Sequence, residues 1–247
     1  MRHITTAIVS ILFLQSFATA AGVQSEELRA GKDDDKQYFL MQPANTKAPA
    51  KGFGLVLILP GGDGSAAFNP FCQRIVENGL PGGYLAAQLV AKKWNENQQI
   101  VWPTAKTKAP GQKFTTEEFI DAVVKDVKAK HKIDDERIHL FAWSSGGPAA
   151  YAATLTKGTP VRGAFVAMSV FKPQSMPPLA MAKDKAFYVL HSPEDKLCPM
   201  RMAEAARDDF AAAGGRTKLT TYAGGHGWHG DVFQNIRDGI AWLEQQK

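Results

Sequence analysis

The chain has 247 residues, 45% of them hydrophobic and 21% charged, with 29 Lys+Arg against 24 Asp+Glu and a formal net charge of +5. The basic residues are scattered with no dense block, which argues against a nucleic-acid partner; the modest excess bears on solubility and on weak attraction to acidic surfaces. Two cysteines, Cys72 and Cys198, stand far apart with no Cys-x-x-Cys spacing, so nothing in the cysteine pattern points to zinc.

Arg2 and His3 open the chain. Residues 8–17 are apolar apart from Ser10, Gln15 and Ser16, and Ala18, Thr19 and Ala20 fit a small-x-small cleavage signal. Residues 1–20 read as a secretory signal peptide, too short to span a bilayer stably. No cysteine follows the cleavage point, so no lipid anchor is implied, and the mature chain is expected to be secreted or periplasmic. Without Arg2 the balance is 28 Lys+Arg against 24 Asp+Glu. The remaining length suits one domain with a full core. Residues 21–36 are charged and lack periodicity and are expected to be a flexible lead-in. The folded domain is expected over 37–247.

Residues 37–41 predict an early strand. Residues 53–59 (FGLVLIL) form a continuous apolar run of strand character, followed by a glycine-rich turn at 60–65 (PGGDGS). Residues 70–77 predict a short helix, and 84–90 and 100–102 strand-like pieces. The 103–113 segment carries Lys106, Lys108 and Lys113 and reads as a solvated loop. Thr115 and Glu118 fit a capping box, with Phe119, Ile120, Val123, Val124 and Val127 on one helical face. A turn at 133–136 is expected to lead into an apolar strand over 137–142. Pro148 fits only a first helical turn, where its missing N–H costs little, and 149–155 continue that helix. Residues 163–168 predict a buried strand. The 169–185 segment is short and carries Pro173, Pro177 and Pro178. Residues 186–190 predict another buried strand, 200–213 a helix stopped at Gly214-Gly215, and 218–222 a strand. Val232, Phe233, Ile236, Ile240 and Leu243 mark a final amphipathic helix. Strands alternating with helices imply an α/β fold with a mostly parallel sheet covered on both faces.

Four turns that follow these strands carry chemistry. Residues 142–146 (AWSSG) fit small-x-Ser-x-small, the sharp strand-to-helix turn that exposes a nucleophilic serine. The turn is strained at the serine, so the residues two before and two after must be small. Ala142 and Gly146 satisfy this for Ser144, whereas a reading at Ser145 would put Trp143 at a small-residue position. A serine hydroxyl needs a base, and the base an orienting carboxylate. Asp195, with Glu194 beside it as an alternative acid, lies after the 186–190 strand, and His226 in the glycine-rich turn after the 218–222 strand. The glycine-rich turn at 60–65 supplies Gly62, whose backbone N–H can pair with that of Ser145 as an oxyanion hole. His191 reads as a structural hydrogen-bonder. His226-x-x-His229 is a weak metal signal, and no metal is expected. Trp143 and Trp228 flank the catalytic candidates and are candidate pocket residues, although packing explains them equally well. An oxidising compartment permits a Cys72–Cys198 bridge, the alternative being two separate buried thiols; both are expected in loops near the site.

The segments at 59–64 (LPGGDG), 142–147 (AWSSGG), 191–195 (HSPED) and 224–228 (GGHGW), in the order serine, acid, histidine, resemble the α/β-hydrolase superfamily. Secreted serine esterases related to dienelactone hydrolases, carboxylesterases and polyhydroxybutyrate-depolymerase or feruloyl-esterase-like proteins look nearest, over about 37–247. Members often carry His-Gly where this chain has Pro60-Gly61 and His191-Ser192, and neither change removes a catalytic atom. The resemblance implies the α/β-hydrolase fold with no large lid, and a carboxylesterase acting through Ser144, Asp195 and His226. Its substrate would be a small-molecule or polymer-attached ester, with no cofactor. A serine peptidase on the same scaffold would cleave amides as fast as esters. A non-catalytic ligand-binding homologue would bind without turnover. Nothing in the sequence speaks to oligomeric state.

Overall fold

A computed structural model describes residues 22–44 and 46–246. The expected signal peptide lies outside the described residues. One eight-stranded sheet spans the molecule: β1 (Val23–Arg29), β2 (Gln37–Pro43), β3 (Phe53–Leu59), β4 (Tyr84–Leu89), β5 (Ile133–Trp143), β6 (Gly163–Ala167), β7 (Ala186–His191) and β8 (Arg216–Thr221). Its order is β1-β2-β4-β3-β5-β6-β7-β8. From β4 to β8 every neighbouring pair is parallel; β2 runs antiparallel to both β1 and β4.

The crossovers supply the covering helices. These are α1 (Asn69–Gly79), α2 (Thr116–Lys130), α3 (Gly147–Thr154), α4 (Met200–Ala212) and α5 (Val232–Glu244). The seven apolar residues of β3 divide by the two-residue period of a strand: Leu55, Leu57 and Leu59 pack with α2, α3 and α4, and Val56 and Ile58 with α1 and α5. Burial on both faces is why the run is continuous rather than alternating. The helix α2 starts at the predicted capping box: Thr115 Oγ1 accepts from the Glu118 N–H at 3.2 Å, and Glu118 Oε2 accepts from the Thr115 N–H at 2.7 Å. On the other face α5 lies close to the sheet because Gly239 has no side chain; a Cβ there would overlap the Phe165 ring.

Three local expectations are corrected. The segment read as a flexible lead-in forms β1 and a short turn. Residues 23–29 pair in full with 37–43, and Asp35 binds Lys92 at 2.6 Å and Lys113 at 2.8 Å. An edge strand held by backbone hydrogen bonds needs little apolar surface, and its Glu26, Glu27 and Arg29 blunt the open edge. Residues 100–102 are not a strand, since β4 already has a partner on each side. Instead Trp102 is buried and donates its Nε1–H to the Pro60 carbonyl at 2.9 Å. Residues 133–136 are the first part of β5, and the expected turn is a register shift against β3 between Phe53 and Leu55.

The connection between β6 and β7 holds only two short 3-10 turns, Pro173–Ser175 and Leu179–Ala182, packed down by buried Phe171 and Met176. Among the described residues there is no large lid. No helix among the described residues is long and apolar enough to cross a membrane. Both cysteines are free and buried, and Cys72 sits within α1 rather than in a loop at the site.

Candidate active site

The carboxyl ends of β3, β5, β7 and β8 carry the four predicted motifs to one edge of the sheet, where open parallel sheets place their sites. At the end of β5 the chain turns through Ser144 with φ +50°, a left-handed conformation that costs a non-glycine residue about 1–3 kcal/mol. The surroundings hold it there. A Cβ on Gly146 would overlap the Leu59 carbonyl, and one on Gly147 the Ser169 hydroxyl. Ser169, buried at the end of β6, donates its Oγ–H to the Ser144 carbonyl at 2.7 Å. Sequence reasoning passed over Ser169; it carries no local motif, and only the parallel pairing of β5 with β6 brings it under the turn.

Ser144 Oγ lies 3.1 Å from His226 Nε2, and His226 Nδ1 lies 2.8 Å from Asp195 Oδ2. The predicted nucleophile, base and acid are thus in register across 82 and 31 residues of sequence. Asp195 is buried, and its other oxygen, Oδ1, accepts from the Leu197 and Cys198 N–H groups, each at 2.8 Å. Burial pushes the Asp195 carboxyl up. The Cys198 N–H, the His226 ring and the Leu197 N–H outweigh that and leave it below the ordinary aspartate value. The acid is therefore ionised where a neutral-pH reaction needs it.

Hydrogen bonds from the acid loop tie down the histidine loop. Ser192 Oγ accepts from the Gly225 N–H at 3.0 Å and from the Glu194 N–H at 3.2 Å. Glu194, the other nearby carboxylate, accepts from the Gly224 N–H at 3.1 Å and does not reach the His226 ring nitrogens. Tyr222 donates its hydroxyl toward the Gly227 carbonyl at 2.8 Å. His191 is fully buried with Nε2 2.6 Å from the Cys198 carbonyl, a structural role.

On the opposite side, Gly62 takes φ +59°, and the Ser145 hydroxyl donates to its carbonyl at 2.9 Å. That bond joins the glycine-rich turn to the residue after Ser144. A Cβ on Gly61 would come within 3.0 Å of Ser144 Cβ, so the missing side chain permits the close approach.

Neither tryptophan lines the cleft beside Ser145. Trp143 is buried beneath the site, edge-on to Phe68 and Phe71 at 5.7 and 5.8 Å. Trp228 is half-buried and stacks on Phe141 at 6.0 Å. The β5 residues alternate between faces, and Trp143 falls with Phe141 on the face covered by α1 and α5. The cleft has a volume of about 360 Å³ and is walled by Ile100, Trp102, Pro148, Val170 and Met176. His229 stacks on Tyr222 with ring centroids 6.3 Å apart. Among the described residues, Asp195, Cys198 and His226 bring three ligand-type atoms within 4.8 Å of one another. His226 already engages Asp195 Oδ2 and the Leu197 and Cys198 N–H groups engage Oδ1, while burial with the nearby Asp195 charge pushes the Cys198 thiol up to about 11.

This fold and this arrangement define an α/β-hydrolase. The profile of one family within that class, Phospholipase/Carboxylesterase, matches residues 86–243, and the chain belongs to that family. It is a hydrolase of the serine carboxylesterase type. No curated protein matches it in sequence. Among solved structures it is similar to a candidate dienelactone hydrolase from Klebsiella pneumoniae subsp. pneumoniae MGH 78578. That likeness has TM-score 0.68 and 14% identity, and covers 91% of this chain and 99% of that one. An esterase of the bacterial hormone-sensitive lipase family aligns with TM-score 0.67 at 16% identity, over 93% of this chain and 86% of that one. Thermogutta terrifontis esterase 2, phosphoramylated by tabun, aligns with TM-score 0.64 at 16% identity, over 90% of this chain and 94% of that one.

Proposed function

We propose that the protein hydrolyses carboxylic esters through an acyl-enzyme on Ser144. The observation that carries this reading is the unbroken contact from Ser144 Oγ through His226 to the buried Asp195. His226 Nε2 takes the hydroxyl proton as Ser144 Oγ attacks the ester carbonyl. Asp195 accepts from His226 Nδ1–H, which fixes the tautomer and stabilises the charged ring. The oxyanion of the tetrahedral intermediate accepts from the Gly62 and Ser145 N–H groups, each worth about 3 kcal/mol in comparable sites. His226 then returns the proton to the departing alkoxide, the alcohol leaves, and the acyl group stays on Ser144. Water, deprotonated by His226, attacks the acyl-enzyme; His226 returns that proton to Ser144 Oγ as the acid departs. No step calls on a cofactor.

The similarity to an esterase that is phosphoramylated by tabun supports this chemistry. The signal-like residues 1–20 support export of the chain to the periplasm or the medium. Replacing Ser144 by Ala is expected to lower turnover of a 4-nitrophenyl acetate assay by at least about 10³-fold with the circular dichroism spectrum unchanged. Retained turnover in that variant would rule out Ser144.

A further inference from the structure

The cleft beside Ser145 bears on which half of an ester it receives. Resting on the acyl-enzyme reading above, the leaving-group oxygen must come within hydrogen-bond reach of His226 Nε2, because that nitrogen returns the proton. The alcohol half therefore lies on the His226 side. The cleft contains no residue of the His226 loop or the Asp195 loop; its walls come from the 99–107 segment, the start of α3 and the segment after β6. It meets the catalytic group through Ser145, the residue whose N–H faces the carbonyl oxygen. The acyl half is the part of the ester directed there.

Its lining gives the chemistry of that acyl group. Trp102 forms a fixed wall: its indole N–H is bound to the Pro60 carbonyl, and a Cβ on Gly64 would come within 2.8 Å of its ring. Met176 is buried in the same lining, and Ile100, Pro148 and Val170 complete an apolar surface. Lys172 stands exposed among the lining residues, and none of them is a carboxylate. Thr104 and Thr107 are hydrogen-bonded to each other at 2.9 Å, and Gln99 and Ser175 are the neutral polar residues that line the cleft besides these and Ser145. Lys172 is thus the one charged side chain lining an otherwise largely apolar cleft.

We propose that this cleft is an acyl-binding subsite for esters whose acid part has an apolar body ending in an anion, such as the half-esters of medium-chain dicarboxylic acids. The apolar walls hold the chain, and Lys172 meets the distal carboxylate. Lys172 and Met176 are then specificity-determining residues, and the catalytic groups are untouched by either.

Three probes with one leaving group separate these parts: 4-nitrophenyl acetate, 4-nitrophenyl octanoate and the mono-4-nitrophenyl ester of suberic acid. In the native protein kcat/KM is expected to rise from acetate to octanoate, and from octanoate to the suberate half-ester. Lys172→Gln is expected to lower the suberate-to-octanoate ratio by about fivefold or more, mostly through KM, and 0.5 M salt to shrink the native preference by a similar factor. Met176→Trp, which fills the cleft, is expected to lower the octanoate-to-acetate ratio by about tenfold or more. A native enzyme that does not prefer the half-ester, or a Lys172→Gln ratio equal to the native one, overturns the anionic end. An unchanged octanoate-to-acetate ratio in Met176→Trp overturns the cleft as acyl site. Failure of the underlying reading looks different: the native protein would release no nitrophenol from the acetate ester, or Ser144→Ala would still release it.

Discussion

The two sides of the site are built by different physics. The Ser144 side is held by sterics: a left-handed φ, two glycines pressed against Leu59 and Ser169, and a buried sheet beneath. The His226 side is held by polar contacts between two loops, with Ser192, Glu194 and Asp195 each accepting from the backbone or ring of the histidine loop. Close-packed sites fail abruptly, because an added methyl has nowhere to go. Hydrogen-bonded loops fail gradually, because each lost bond is a fraction of the whole.

Substitutions can break or sharpen this contrast. Asp195→Asn should have the largest effect on rate, lowering kcat by about 10³–10⁴-fold, because an amide NH₂ facing His226 Nδ1 favours the wrong tautomer. Its melting temperature should stay close to native. Gly146→Ala, on the steric side, should lose rate and fold stability together, by about 3 kcal/mol in a urea titration. If that variant were as stable as native, the steric account of the turn would fail. Ser192→Ala, on the hydrogen-bonded side, leaves the Gly225 and Glu194 N–H groups without this acceptor. It should cost about 1 kcal/mol of stability and a few-fold in kcat. A collapse as complete as that of Gly146→Ala would erase the distinction.

A further test concerns β5 away from the site. His139 is buried with neither ring nitrogen hydrogen-bonded, and burial, with Arg137 nearby, lowers its pKa to about 3. The unfolded chain binds a proton there near pH 6.5, and the folded chain does not. Stability from the neutral ring is therefore complete above about pH 6.5 and is lost as pH falls, by about 1.4 kcal/mol per unit. Relative to native, His139→Leu should lose about 2 kcal/mol less unfolding free energy between pH 7 and 5. Parallel pH profiles for the two proteins would contradict this.

The sequence announced the parts of the molecule whose local pattern and tertiary role coincide. The strand at 53–59 is buried on both faces, so its apolar run marks it from end to end, and the capping box at Thr115 is a local motif with a local cause. Ser144, Asp195 and His226 were legible because each follows a strand in an order that the chemistry requires. The pieces that did not show depend on neighbours remote in sequence. The strand at 23–29 is charged because it is an edge, so its pattern is that of a loop. Residues 100–102 have strand composition, but β4, the strand before them, already has a partner on each side. Trp143 adjoins Ser144 in sequence yet is buried in the core, while Trp102, with no motif near it, walls the cleft.

The account rests on Ser144 being an activated nucleophile. Its most direct test is fluorophosphonate labelling of the folded protein, with the modified peptide mapped by mass spectrometry. The account predicts one adduct, on Ser144, lost in Asp195→Asn and His226→Ala at equal reagent and time. Labelling at Ser145 instead, or no adduct on folded protein, would contradict it.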